Sequence, residues 1–174
     1  MIRVVMFDLG GTLVDNDRRP FLHVEDALTA VGGFRTADGK PLRSCLVSDY
    51  DTTPTPPKTD AEIAALFDEY LAILDGTGLR PFFEPVDQRV TLSIHAGASK
   101  PNRKIFEKAL ERLGTGAALD ECLFITEEPG HIEAARDRLK MATLQFRSTK
   151  SDRFDFDDWT KAPALIANLV APRA

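Results

Sequence analysis

The chain has 174 residues, 43% of them hydrophobic, enough for one α/β domain with a real core and too few for two. A formal charge of −5 gives no general attraction to phosphate backbones or anionic lipid, which disfavours nucleic acid as a partner. No apolar run approaches the roughly 18–20 residues that span a bilayer, and Met1-Ile2-Arg3 leads straight into a strand rather than a signal-peptide core, so no membrane role is expected and the expected location is the cytoplasm.

In chain order, Arg3 to Phe7 reads as a buried strand ending in Asp8 and a Gly10-Gly11 turn. Val24, Ala27, Leu28 and Val31 lie at helical spacing, and Gly32-Gly33 stops that helix. Ser44 to Ser48 is a second strand. The proline-rich stretch Thr52 to Pro57 reads as a loop joining it to a helix, Ala61 to Leu74, which carries Ile63, Leu66, Phe67, Tyr70, Leu71 and Leu74 on one apolar face and closes at Asp75-Gly76. Arg89 to Ser93 is a third strand. The carboxyl-terminal half continues with helix Pro101–Leu113, Pro101 in its first turn, then strand Cys122–Thr126, helix His131–Leu139 and strand Ala142–Phe146. A last helix, about Trp159 to Val170, places Trp159 in the core. This alternation predicts one domain over residues 1–174, a doubly wound, Rossmann-like, mainly parallel five-stranded sheet with helices on both faces. Cys45 and Cys122 both fall in buried strands, which predicts free core thiols in a reducing compartment.

In such a sheet, ligands bind outside the carboxyl ends of the strands, which puts Asp8 at a binding mouth. Three other segments end there as well: Cys45-Leu46-Val47-Ser48-Asp49, Ser99-Lys100-Pro101 and Phe124-Ile125-Thr126-Glu127-Glu128. A hydroxyl at Ser48 can donate a hydrogen bond at that edge, and a fixed ammonium at Lys100 can offset the charge of a nearby carboxylate.

Together these segments resemble the haloacid dehalogenase-like (HAD) phosphohydrolases, whose first motif usually reads Asp-x-Asp-Gly-Thr-Leu where this chain has Asp8-Leu9-Gly10-Gly11-Thr12-Leu13. The resemblance implies that Asp8 is the nucleophile that forms an aspartyl-phosphate, and that Thr12, Ser48 and Lys100 belong to the catalytic set. It also implies that Ser48, Asp49 and Lys100 meet the substrate, and that Asp8, the Gly10 carbonyl and Glu127 hold Mg2+. Two motifs are degenerate. Gly10 stands where the family carries its general acid and base, and Thr126-Glu127 stands where it carries an acidic pair, with Glu128 as the alternative metal ligand. His131 sits where Asn is common, and an imidazole there can move a proton near neutral pH. Only about one helix separates Asp15 from Cys45, which implies a core without a large cap. Among relatives, that architecture goes with a macromolecular substrate or with a second subunit or partner protein covering an open site. The implied function is a Mg2+-dependent phosphoryl hydrolase acting on a phosphorylated small molecule or macromolecule, slow for want of an aspartate at position 10. The alternative is a catalytically silent HAD-like module that binds a protein partner or a phosphorylated ligand.

Overall fold

The computed structural model describes residues 1–50 and 59–171. Five strands, β1 (Val4–Phe7), β2 (Arg43–Ser48), β3 (Val90–Leu92), β4 (Cys122–Thr126) and β5 (Ala142–Gln145), form one sheet in the order β3-β2-β1-β4-β5, and every neighbouring pair is parallel. The helices are α1 (Val24–Gly32), α2 (Asp60–Thr77), the single-turn α3 (Val86–Arg89) and α4 (Ser93–Ala96), α5 (Arg103–Leu113), α6 (Pro129–Asp137) and α7 (Ala162–Val170). The proline-rich stretch expected as a loop lies outside the described residues.

Side chains alternate across each strand, and because the central strands are covered on both faces, both halves of the alternation are apolar. Val5, Phe7, Leu46, Leu123 and Ile125 pack with Leu28, Leu74 and Ile166 from α1, α2 and α7. Val4, Met6, Cys45, Val47, Cys122 and Phe124 face the opposite layer, built on Ile105, Phe106 and Leu110 of α5 and Ala135 of α6. Both cysteines are free and fully buried in that second layer, where burial pushes each thiol up to about 12. They are core residues, as expected. No helix among the described residues is long and apolar enough to cross a membrane.

Several element ends differ from the sequence reading. Gly76 does not stop α2, which runs to Thr77 and ends where Gly78 takes a left-handed φ of 76°. Nothing crowds Gly76, and the extra turn buries Thr77, whose hydroxyl donates to the Leu74 carbonyl at 2.7 Å. Pro101 precedes α5 rather than opening it; Asn102 is the cap, its side chain accepting from the Lys104 amide at 3.0 Å. The α6 helix starts two residues early, at Pro129, whose missing N–H suits the first helical position. Trp159 stands in the turn before α7, buried beside Phe146 and Phe156 at ring separations of 5.7 and 5.2 Å.

Candidate active site

The chain leaves β1 toward β2 on one side and returns to β4 on the other, so the crevice between the carboxyl ends of β1 and β4 is the topological switch point of the sheet. Asp8 follows β1 there, its amide extending the ladder to the Ile125 carbonyl at 3.0 Å. The turn beyond it winds on the Leu9 carbonyl, which accepts from the amides of Thr12, Leu13 and Val14. Trp159 pins this turn from the core by donating its Nε1 proton to the Thr12 carbonyl at 3.1 Å.

Asp8 is only 7% exposed, and both of its carboxylate oxygens are engaged. Oδ1 accepts from the Leu9 amide at 2.8 Å and from Lys100 Nζ, and Oδ2 accepts from the Thr126 hydroxyl at 2.9 Å. Lys100 is equally buried; its ammonium also donates to the Val47 carbonyl at 3.1 Å, which ties the cation to the end of β2. The backbone of Lys100 is held as well, its amide donating to Asp49 Oδ1 at 2.9 Å. An open Lys–Asp pair would contribute about 0–1 kcal/mol, but this pair is out of water, where each charge depends on the other.

The opposite wall is built differently. Gly11, at φ 72°, lies under Glu127; the left-handed turn favours glycine, and a Cβ there would meet the Glu127 carboxyl carbon at 2.8 Å and displace that side chain. Thr12 donates its hydroxyl proton to Glu127 Oε2 at 2.5 Å and accepts from the Glu127 amide at 3.1 Å. Thr12, expected in the catalytic set, is fully buried and is not among the residues lining the cavity; its two hydrogen bonds tie it to Glu127. The Thr126 hydroxyl stands between the two carboxylates, 2.9 Å from Asp8 Oδ2 and 3.3 Å from Glu127 Oε2, with one proton to give. Glu128 turns away to pair with Lys150, which lowers its pKa. Gly10 is exposed, does not hold a positive φ, and has open space where a side chain would stand.

These walls enclose a cavity of about 490 Å³ whose lining includes Asp8, Gly10, Ser48, Asp49, Lys100 and Glu127. Its volume is that of a small-molecule site. Tyr70 and Ile73 of α2 form one side, and His131 of α6 another. Two buried polar atoms on these flanks, the Tyr70 hydroxyl and His131 Nδ1, have no well-aligned hydrogen-bond partner among the described residues, although Ser48 lies close to the Tyr70 hydroxyl. Burial, and then the Lys100 charge, lower the His131 pKa and favour the neutral ring. The Tyr70 contribution was not legible beforehand, because its place at i−4 from Leu74 reads as plain core.

For a divalent cation the donor set is chemically suitable. Asp8, Glu127 and the Gly10 carbonyl are hard oxygen donors on one cavity, and neither the Gly10 carbonyl nor Glu127 Oε1 accepts a hydrogen bond from a described residue. Among the described residues, no three His, Cys, Asp or Glu side chains cluster as a metal group, so a cation here would draw on two carboxylates and backbone oxygen.

No protein-family model matches the chain, and no curated protein matches it by sequence. Solved structures do. A structure of a Haloacid Dehalogenase-like Protein of Unknown Function from Agrobacterium tumefaciens aligns at a TM-score of 0.53 and 18% identity, over 87% of this chain and 61% of its own length. The chain therefore has the haloacid dehalogenase-like fold. An uncharacterised protein from Corynebacterium glutamicum is similar over nearly all of both chains, 100% of this one and 98% of the other, at a TM-score of 0.56 and 13% identity. This chain spans about three fifths of the Agrobacterium protein's length.

Proposed function

We propose that this protein is a Mg2+-dependent phosphoryl hydrolase of HAD type that works through an aspartyl-phosphate on Asp8. The observation that carries the reading is the buried Asp8–Lys100 pair at the switch point of the sheet, with Lys100 also held on the Val47 carbonyl. A carboxylate so fixed is oriented for in-line attack, and the ammonium beside it offsets the charge of an arriving phosphate.

In the first half-reaction an Asp8 carboxylate oxygen bonds to phosphorus as the phosphorus–oxygen bond to the leaving alcohol breaks. The departing alkoxide takes its proton from solvent, since Gly10 offers no side chain. In the second, a water oxygen bonds to phosphorus, the bond to Asp8 breaks, the water's proton passes to solvent, and phosphate leaves. Ser48 donates to a phosphoryl oxygen and Lys100 neutralises charge in both steps, while Asp49 holds the Lys100 backbone in place. Asp8, Glu127 and the Gly10 carbonyl would hold Mg2+, which supplies further neutralisation of phosphoryl charge. The cavity volume favours a phosphorylated small molecule, and the segment between β1 and β2 holds only α1 as a helix, in keeping with a core that lacks a large cap.

Two observations favour the second reading, a silent phosphate-binding module: the Glu127 carboxylate accepts from Thr12 and lies beside the Thr126 hydroxyl, and position 10 carries no acid. An aryl phosphate separates the two, because its leaving oxygen needs little protonation. Slow hydrolysis in Mg2+ that disappears in Asp8→Ala is the expected result. Absence of Asp8-dependent turnover, persisting in a folded Gly10→Asp variant, would establish the binding module instead.

A further inference from the structure

Tyr70 is a buried polar group on the cavity that the roles above leave unused. It lies on the buried stripe of α2 with Leu71 and Leu74, 3% exposed, and its ring meets that of Tyr50 edge-on at 5.3 Å. Its hydroxyl sits beside Ser48 and within the influence of Asp8, yet forms no well-aligned hydrogen bond with any described residue. Buried hydroxyls without partners are rare in native proteins and point to a group that arrives from outside. Tyr70 lines the same cavity as Asp8, Ser48 and Lys100. Burial above all, with the Asp8 charge behind it, pushes the phenol pKa upward, which keeps the hydroxyl a donor across the neutral range.

We propose that Tyr70 is a ligand-binding residue: its hydroxyl donates a hydrogen bond to an oxygen of the phosphoryl group held by Ser48 and Lys100, so that α2 supplies part of the phosphate cradle. This rests on the reading of the cavity as a phosphoryl site, and it involves no covalent step. A hydroxyl without a well-aligned partner among the described residues and the acceptor-only oxygens of a phosphate are complementary, since each lacks what the other offers.

Tyr70→Phe removes that hydroxyl and little else. The test is calorimetric titration of the full chain with inorganic phosphate in Mg2+, alongside thermal unfolding of the free protein. Phosphate affinity is expected to fall about tenfold in Tyr70→Phe, the weight of one hydrogen bond to a charged group. The melting temperature should hold or rise, because the atom removed has no well-aligned hydrogen-bond partner among the described residues. Unchanged phosphate affinity would overturn the inference, as would a lowered melting temperature with binding intact, which would make the hydroxyl a structural partner of Ser48. If phosphate binds and only the Tyr70→Phe effect is missing, this inference alone fails. If the wild-type protein binds no phosphate, the phosphoryl reading of the cavity fails with it.

Discussion

Two walls face each other across the cavity, and they are furnished differently. On the side of β1, β2 and the Lys100 turn, the central charges are engaged: Asp8 by Lys100, Leu9 and Thr126, and Lys100 by Asp8 and the Val47 carbonyl. On the side of the Gly10-Gly11 turn and the end of β4, position 10 has no side chain, and Glu127 is turned onto Thr12. On the function proposed above, the first wall would hold a phosphoryl group and attack it. The second has no acid at position 10. A buried carboxylate and ammonium are costly to place in a core and become more so if one is removed, whereas an exposed glycine costs the fold nothing. The absence of an acid at position 10 is therefore compatible with full stability of the site.

This contrast is sharpened most by restoring the missing acid. Gly10→Asp should fold with stability within about 0.5 kcal/mol of the parent, since the position is exposed and open and its φ is not positive. It should raise the turnover of alkyl phosphates by about 10²–10⁴-fold, the usual share of general acid–base catalysis, and that of aryl phosphates less. Steady-state rates on the two substrate classes check this. Equal gains on both would mean that protonation is not the missing element.

Lys100→Met tests the other wall. It leaves the Asp8 carboxylate buried without its cation and should destabilise the protein by about 3–5 kcal/mol in urea unfolding. Adding Asp8→Asn should recover much of that loss, because the unpaired charge is gone. If Lys100→Met alone is nearly neutral, the pair is not the electrostatic unit described here.

The smallest effect lies away from the site. His95 stacks edge-on against Phe67 at 4.9 Å and accepts the Leu92 amide on Nδ1 at 3.0 Å. Burial first, with Arg112 and Lys108 behind it, holds its pKa down to about 4. The folded protein thus keeps this ring neutral where the unfolded chain would protonate it. Its contribution to stability is full above the ordinary histidine pKa of about 6.5 and is lost as the pH falls from there to about 4. His95→Gln should flatten stability across that window, as followed by urea midpoints. A parent whose stability does not change between these pH values would contradict the assignment.

Much of this was legible in the sequence where a residue's role is local or periodic. The strand Cys122–Thr126 is read off residue for residue, because an apolar run buried on both faces needs no outside information. Asp8, Ser48, Asp49, Lys100 and Glu127 were each placed after an apolar run, and a parallel sheet brings such ends to one crevice. What escaped depends on contacts between distant segments. Thr126 reads as a departure from an acidic pair, but its hydroxyl holds Asp8 Oδ2 across the β1–β4 seam. Trp159 reads as core, and it is, yet its indole proton fixes the Thr12 carbonyl from 147 positions away. Gly76 reads as a helix stop because glycine is weak in helices, but the burial of Leu74 and Thr77 outweighs about 1 kcal/mol of propensity. Tyr70 carries the same lesson, a polar tip on a residue whose spacing says only that it is buried.

The central claim is that Asp8 becomes phosphorylated. The most direct measurement is to incubate the protein briefly with an aryl phosphate and Mg2+, quench it in acid, reduce it with borohydride, which converts an aspartyl-phosphate to homoserine, and read the peptide containing Asp8 by mass spectrometry. Homoserine at position 8 in the wild-type chain, and none in Asp8→Asn, is the expected result. An unmodified Asp8 under conditions where the wild-type protein measurably hydrolyses the ester would contradict the account.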